Sequence, residues 1–128
     1  MEEANGLRDL RWWKRLCATI DAKDTRGFTA YLANDCEFRF ANGPSVIGHG
    51  PIGLAVDAFW ASIRASEHLV LECWSGPGSA ACEGTCTYTR HDGSVITLPF
   101  VDVLHFRDDK AAKYCIYMDV APLYGNES

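Results

Sequence analysis

The chain changes its hydrophobic period once. Between residues 8 and 22, Leu10, Trp13, Leu16, Cys17 and Ile20 recur at three- and four-residue spacing with charges between them. That spacing gathers one apolar stripe on one side of a helix. After DAKDTRG, the positions of Phe28, Tyr31 and Leu32 predict a second, short helix that Asp24 or Thr25 can cap. CEFRFA, residues 36–41, alternates as a strand does and stops at the turn signal Asn42-Gly43-Pro44. GHGP then opens a third helix, with Pro51 near its first position, where a missing N–H costs nothing. Its apolar face is Ile52, Ala55, Val56, Phe59, Trp60 and Ile63.

From His68 onward the period falls to two. HLVLECWS, ACEGTCTYT, SVITLPFVDVLHF and KYCIYMDV are separated by Gly-Pro-Gly-Ser, Arg-His-Asp-Gly and Asp-Asp-Lys. Four strands joined by short loops predict an antiparallel meander. Helices in front and strands behind make the class α+β.

Two acids interrupt the strands. Alternation in SVITLPFVDVLHF puts Ile96, Leu98, Phe100, Asp102, Leu104 and Phe106 on one face, so Asp102 shares the more apolar side unless a bulge near Pro99 shifts it. Asp119 similarly breaks the apolar run YCIYMDVAPL. An ionised carboxylate in apolar surroundings costs several kcal/mol unless it is paired or protonated. Two of them predict a cavity.

The 128 residues, 48% of them hydrophobic, fit one domain, 1–128, with a core of about 8–124. A formal charge of -5 argues against nucleic acid or an anionic membrane as partner, since both require a basic surface. The start MEEANGLRDL is not a signal peptide, and no run is long enough to span a membrane. A cytoplasmic protein is expected. The six cysteines, several inside strand patterns, then read as free buried thiols. Cys82 and Cys86 lack the spacing of a zinc site, and no metal is expected.

Several stretches, taken in order, resemble the nuclear-transport-factor-2-like superfamily and most closely its SnoaL-like members, the polyketide cyclases and their relatives. They are FTAYLANDCEFRF, GHGPI, His68, TRHDG, DVLHFRDDK and YMDVAPL. The likeness runs from residue 8 to 124. It implies a cone-shaped α+β barrel, with three N-terminal helices packed on a curved antiparallel sheet enclosing a pocket. It also implies that the acid of the final strand, Asp119, is catalytic, and that the protein is a homodimer. Ketosteroid isomerases, epoxide hydrolases and non-catalytic binding modules share this cone, so the residues must select among them.

Asp102, Asp119 and His68 are the candidate catalytic residues. Two carboxyls in different environments can divide acid from base, and a histidine titrates near neutrality. Asp119 can instead accept hydrogen bonds from the backbone near Pro122, Asp102 can instead pair with a nearby arginine, and His68 can instead cap the third helix. Arg39 could orient a substrate oxygen, and Glu83 is a weaker polar candidate on a strand whose Thr85, Thr87 and Thr89 face the same way. Tyr31, Trp60, Trp74, Phe100 and Tyr117 could line a pocket for an apolar polycyclic or aromatic ligand. No phosphate loop, nucleophile elbow or metal-ligand cluster is present, so no cofactor is expected. The expected function is acid–base cyclisation, isomerisation or rearrangement of an apolar small molecule in natural-product metabolism. The alternatives are an epoxide hydrolase and a ligand-binding or dimerisation module.

Overall fold

A computed structural model describes residues 8–125. Helix α1, Leu10–Asp21, starts where the Trp12 N–H donates to Asp9 Oδ1 at 3.0 Å, and it buries Trp13, Leu16 and Cys17. Lys23 then takes a left-handed φ of 58°, which reverses the chain. Asp24 caps the one-turn helix α2, Thr25–Thr29, by accepting from the Gly27 N–H at 2.9 Å. Helix α3, His49–Ala61, buries Ile52, Val56 and Trp60.

The strands are β1 (Leu32–Phe40), β2 (Val46–Ile47), β3 (Ala65–Gly76), β4 (Ser79–Thr89), β5 (Val95–Arg107) and β6 (Lys110–Tyr117). They form one open sheet in the order β2-β1-β6-β5-β4-β3. The meander β3 to β6 is antiparallel as expected, but the sheet as a whole is mixed: β1 lies parallel to β6. The chain leaves β1 through β2 and α3 before it returns at β3, so β1 is free to join the sheet beside its last strand. A four-residue 3₁₀ helix, Ala121–Tyr124, follows β6 and buries Leu123.

The inner face of β4 and β5 keeps strict alternation. Ala80, Cys82, Cys86 and Tyr88 are buried on β4, and Leu98, Phe100, Asp102 and Leu104 on β5. Pro99 causes no bulge, since β4 and β5 pair in unbroken register from Ser79–His105 to Thr89–Val95. It lies where β5 has outrun β6, whose pairing ends at Val101–Tyr117. The irregularity falls on β3 instead, between Val70 and Glu72, beside Gly84. A Cβ at Gly84 would come within 2.1 Å of the Leu69 carbonyl oxygen, so only glycine permits this close approach. All six cysteines are free, and all but Cys73 are buried. No helix among the described residues is long and apolar enough to cross a membrane.

Candidate active site

The helices and the inner sheet face leave a cavity of about 290 Å³. Its walls are aromatic and aliphatic, with Phe28, Phe38, Phe59, Trp60, Tyr88 and Phe100 prominent among them. Phe28 meets Phe38, Trp60 and Tyr114 at ring-centre distances of 5.5 to 6.0 Å, and Phe59 meets Phe40 and Tyr88 at 4.8 and 5.9 Å. Such interlocked rings hold a stiff wall.

Polar atoms reach this cavity from few residues. Asp102, on β5, is 4% exposed, and its Oδ1 has no hydrogen-bond partner. Burial raises its carboxyl from 3.8 to about 7, although the positive charge of His68 and the nearby Tyr114 phenol both work to lower it. Tyr114, on β6, is fully buried, and its hydroxyl also lacks a partner. The phenol and the carboxyl are close but not in hydrogen-bond geometry. Burial, and then the charge of Asp102, hold Tyr114 well above its ordinary value, so it stays a donor.

His68, on β3, is the third group. Its Nδ1 lies 2.6 Å from Asp21 Oδ1, and its backbone N–H donates to Asp21 Oδ2 at 2.9 Å. Ser66 completes the holder, donating its hydroxyl to Asp21 Oδ1 at 2.7 Å. Burial alone would lower the histidine. The hydrogen bond and charge of Asp21, with Cys86 Sγ 3.7 Å from Nδ1, outweigh it and push His68 up to about 10. Burial likewise acts to raise Asp21, but the same bonds hold it below its ordinary value. The pair is therefore imidazolium and carboxylate at neutral pH, which leaves Nε2–H as the ring's uncommitted donor. Phe100 packs edge-on against the ring at 5.3 Å and fixes its plane.

Of the residues singled out from the sequence, His68, Asp102, Trp60 and Phe100 meet at the cavity. Asp119 does not. It lies beyond the end of β6, exposed, with its Oδ1 accepting from the Ala121 N–H at 3.0 Å. It closes a local turn ahead of Pro122, the alternative its sequence context left open. Tyr117 is also exposed, at 55%, because the inner face of this region is Tyr114, Ile116 and Met118. Both parities of YCIYMDV look buried, so alternation did not select one; the pairing of Asp102 with Ile116 does.

Arg39 and Glu83 are exposed on the opposite side of the sheet, each one step out of phase with buried neighbours. Trp74 is 49% exposed. Beyond the irregularity in β3 it pairs with Ala81 on the outer face, a shift that β3's own letters do not announce. Tyr31 packs outside the cavity against Trp12, with ring centres 5.6 Å apart. Among the remaining histidines, His49 and His91 bond the Leu32 and Ala61 carbonyls at 2.8 Å, and His105 is exposed.

Sequence reasoning missed Tyr114 and Asp21. Tyr114 carries no signal beyond its parity. Asp21 carried one: an acid closing the apolar stripe of α1, one turn after Cys17, at the helix C-terminus, where the macrodipole disfavours a carboxylate. No group of three or more His, Cys, Asp or Glu among the described residues is arranged to hold a metal.

A family model described as a SnoaL-like domain matches residues 13–114. No curated protein sequence matches the chain. Among solved structures, an NTF2-like protein of unknown function from Burkholderia pseudomallei K96243 superposes with a TM-score of 0.81 at 19% identity, covering 91% of this chain and 95% of that one. A candidate polyketide cyclase from Xanthomonas campestris pv. campestris gives 0.83 at 16% identity, with coverages of 97% and 99%. TerC, co-crystallised with polyporic acid, gives 0.76 at 20% identity, with 84% and 88%. At such identities the likeness is one of fold.

Proposed function

The chain belongs to the SnoaL-like domain family, and from that premise and the polar end of its cavity we propose that it is a cofactor-independent acid–base enzyme acting on a largely apolar small molecule. The observation that carries this reading is Asp102: a buried carboxyl with a free oxygen, raised to about 7, on the wall of an apolar cavity that also contains an imidazolium. A carboxyl there is near its most useful value, since it is partly ionised at neutral pH and still basic.

In the proposed reaction the Asp102 carboxylate takes a proton from a carbon next to a carbonyl. The C–H electrons move into the ring or chain as the carbonyl oxygen gathers charge, and His68 Nε2–H donates to that oxygen. Asp21 holds the imidazolium in place and in its charged form. Return of the proton to a different carbon gives an isomer. Attack of the enol carbon on a second carbonyl held in the same cavity closes a ring. The aromatic wall supplies the orientation that selects between these outcomes.

Two fold relatives lend support. One is a candidate polyketide cyclase, and TerC was crystallised with polyporic acid. The proposal places the reaction in the metabolism of natural products within the cytoplasm. It extends to assembly as a homodimer through the outer sheet face, where Leu69, Trp74, Val101 and Tyr117 are exposed at 57%, 49%, 38% and 55%. Loss of dimer in sedimentation of Val101→Glu would support that face.

The chemistry is tested by following α-proton exchange of a panel of apolar ketones in D₂O by NMR. Accelerated exchange by the wild type, lost in Asp102→Asn, is the expected result. No acceleration for any ketone, with binding of the same compounds intact, would replace the enzyme by a binding module.

A further inference from the structure

Outside the cavity, the described strand pairs set cysteine opposite cysteine in one place: Cys73 on β3 faces Cys82 on β4. Residues directly opposite each other in an antiparallel pair project to the same side of the sheet. Cys82 is fully buried on the inner face, and Cys73, partly buried, packs against the same core.

The hairpin turn fixes how near they come. Pro77 and Gly78 make a two-residue turn, with Gly78 at a left-handed φ of 74°. From Gly76–Ser79 to Glu72–Glu83 the strands then pair without a shift. A two-residue turn is closed by a hydrogen-bonded pair, and the two kinds of pair alternate from there. Gly76–Ser79 and Trp74–Ala81 are therefore hydrogen-bonded pairs, and Ser75–Ala80 and Cys73–Cys82 are not. In a non-hydrogen-bonded pair the Cα atoms are about 4.5 Å apart and the side chains are closest. A disulfide spans Cα separations of about 4.4–6.8 Å. The hairpin thus presents two thiols within reach of each other while the strands stay paired.

Access differs between the two. Cys73 alone among the cysteines is not buried, so an oxidant meets it first. Burial, then the charges of Asp9 and Glu72, hold its thiol above the ordinary value, which makes its attack slow.

We propose that Cys73 and Cys82 are a redox-active pair, joined by an intramolecular disulfide when the folded chain meets hydrogen peroxide. The Cys73 sulfur gives up its proton and attacks one peroxide oxygen. The O–O bond breaks, and the departing hydroxide takes up that proton as water. The Cys82 sulfur then displaces the hydroxyl of the Cys73 sulfenic acid, which leaves with the Cys82 proton as a second water. The thiols lose two electrons and one peroxide is reduced; a thiol reductant reverses the bond. On its β5 side Cys82 pairs with Asp102, so the bond forms on the strand beside the candidate base. The proposal stands apart from the acid–base reading.

In the test, the full chain, folded and reduced, is treated with hydrogen peroxide, quenched, unfolded and alkylated with iodoacetamide. Cleavage after Glu72 and Glu83 releases residues 73–83, which contain Cys73 and Cys82 and no other cysteine. The expected product is that fragment unalkylated and lighter by two hydrogen atoms, with the remaining cysteines alkylated and the change reversed by dithiothreitol. Cys73→Ser, at a partly exposed position, should keep the fold, and its Cys82 should stay reduced. The urea midpoint of the linked chain should rise, because the bond restricts the unfolded hairpin. The proposal is overturned if no cysteine is oxidised, or if the fragment carries two alkyl groups after other cysteines have reacted. A link from Cys82 to Cys17, which α1 brings near the same sulfur, would also overturn it. So would sulfinic acid at Cys73 with Cys82 alkylated, or a lower urea midpoint in the linked chain. Either would mean that the folded hairpin does not hold the two sulfurs within reach.

Discussion

Asp102 and Asp119 look alike as letters: each interrupts an apolar run in one of the last two strand patterns. Their surroundings could hardly differ more. Asp102 is in the middle of β5, flanked by Cys82 on β4 and Ile116 on β6, under a layer of helices and aromatic rings. Burial takes it out of bulk water, so the carboxyl is raised and keeps an oxygen unpaired. Asp119 lies two residues past the last strand pair of its element, exposed, and spends an oxygen on a turn. An acid among apolar letters becomes a reactive group only where neighbouring strands and a covering layer remove its water. The strand sequence alone does not say whether the sheet extends that far.

The contrast is most easily broken by removing each carboxylate. Asp102→Asn should lower ketone exchange by about 10²–10⁴-fold, the usual contribution of a general acid or base. Asp119→Asn should leave it within about twofold, since the amide oxygen can still accept from Ala121. Equal losses in the two variants would sink the distinction.

Next in size is the holder of the cation. Asp21→Asn leaves a buried histidine without its carboxylate, so burial pulls the titration of His68 down from about 10. The fold should lose about 2–4 kcal/mol by urea titration at pH 7, close to the cost of breaking a buried pair. The sign is fixed by the paired values: stability from His68, raised to about 10, is complete below 6.5 and lost as pH rises through about 10. In Asp21→Asn that alkaline loss should vanish from the urea midpoints.

Gly84→Ala probes the sheet under the cavity. With a methyl 2.1 Å from the Leu69 carbonyl, backbone must move, and a loss of about 1–3 kcal/mol is expected in denaturant. No loss would mean that β3 and β4 separate there at no cost.

The pH profiles sharpen the comparison. The proposed reaction needs Asp102 ionised and His68 protonated, so kcat/KM should rise through pH about 7 and fall through about 10. Stability carries the opposite mark of Asp102. Between about 3.8 and 7 the folded chain holds a proton that the unfolded chain has released, so its contribution is lost as pH rises across that window. Melting temperatures at pH 5 and 8 should differ less in Asp102→Asn than in the wild type. In Asp119→Asn they should differ as in the wild type.

The sequence by itself determined the elements and one face of the sheet. The stripe of α1, the Asp24 cap, Pro51 in the first turn of α3 and the turns of the meander are local, and each follows from side-chain spacing or backbone geometry within a few residues. The burial of Asp102 was legible for the same reason, because strict alternation through Leu98, Phe100 and Leu104 marks only one side of β5 as inner. What lay beyond reach depends on pieces of chain far apart. β1 beside β6, the irregularity of β3 against Gly84 and the end of β6 at Tyr117 are properties of strand pairing, so they decided the places of Trp74, Tyr117 and Asp119. The meeting of Asp21 with His68 spans 47 residues and requires α1 to pack on β3. A period fixes which side of an element is apolar; only packing decides what stands opposite it, and a pKa is set by what stands opposite.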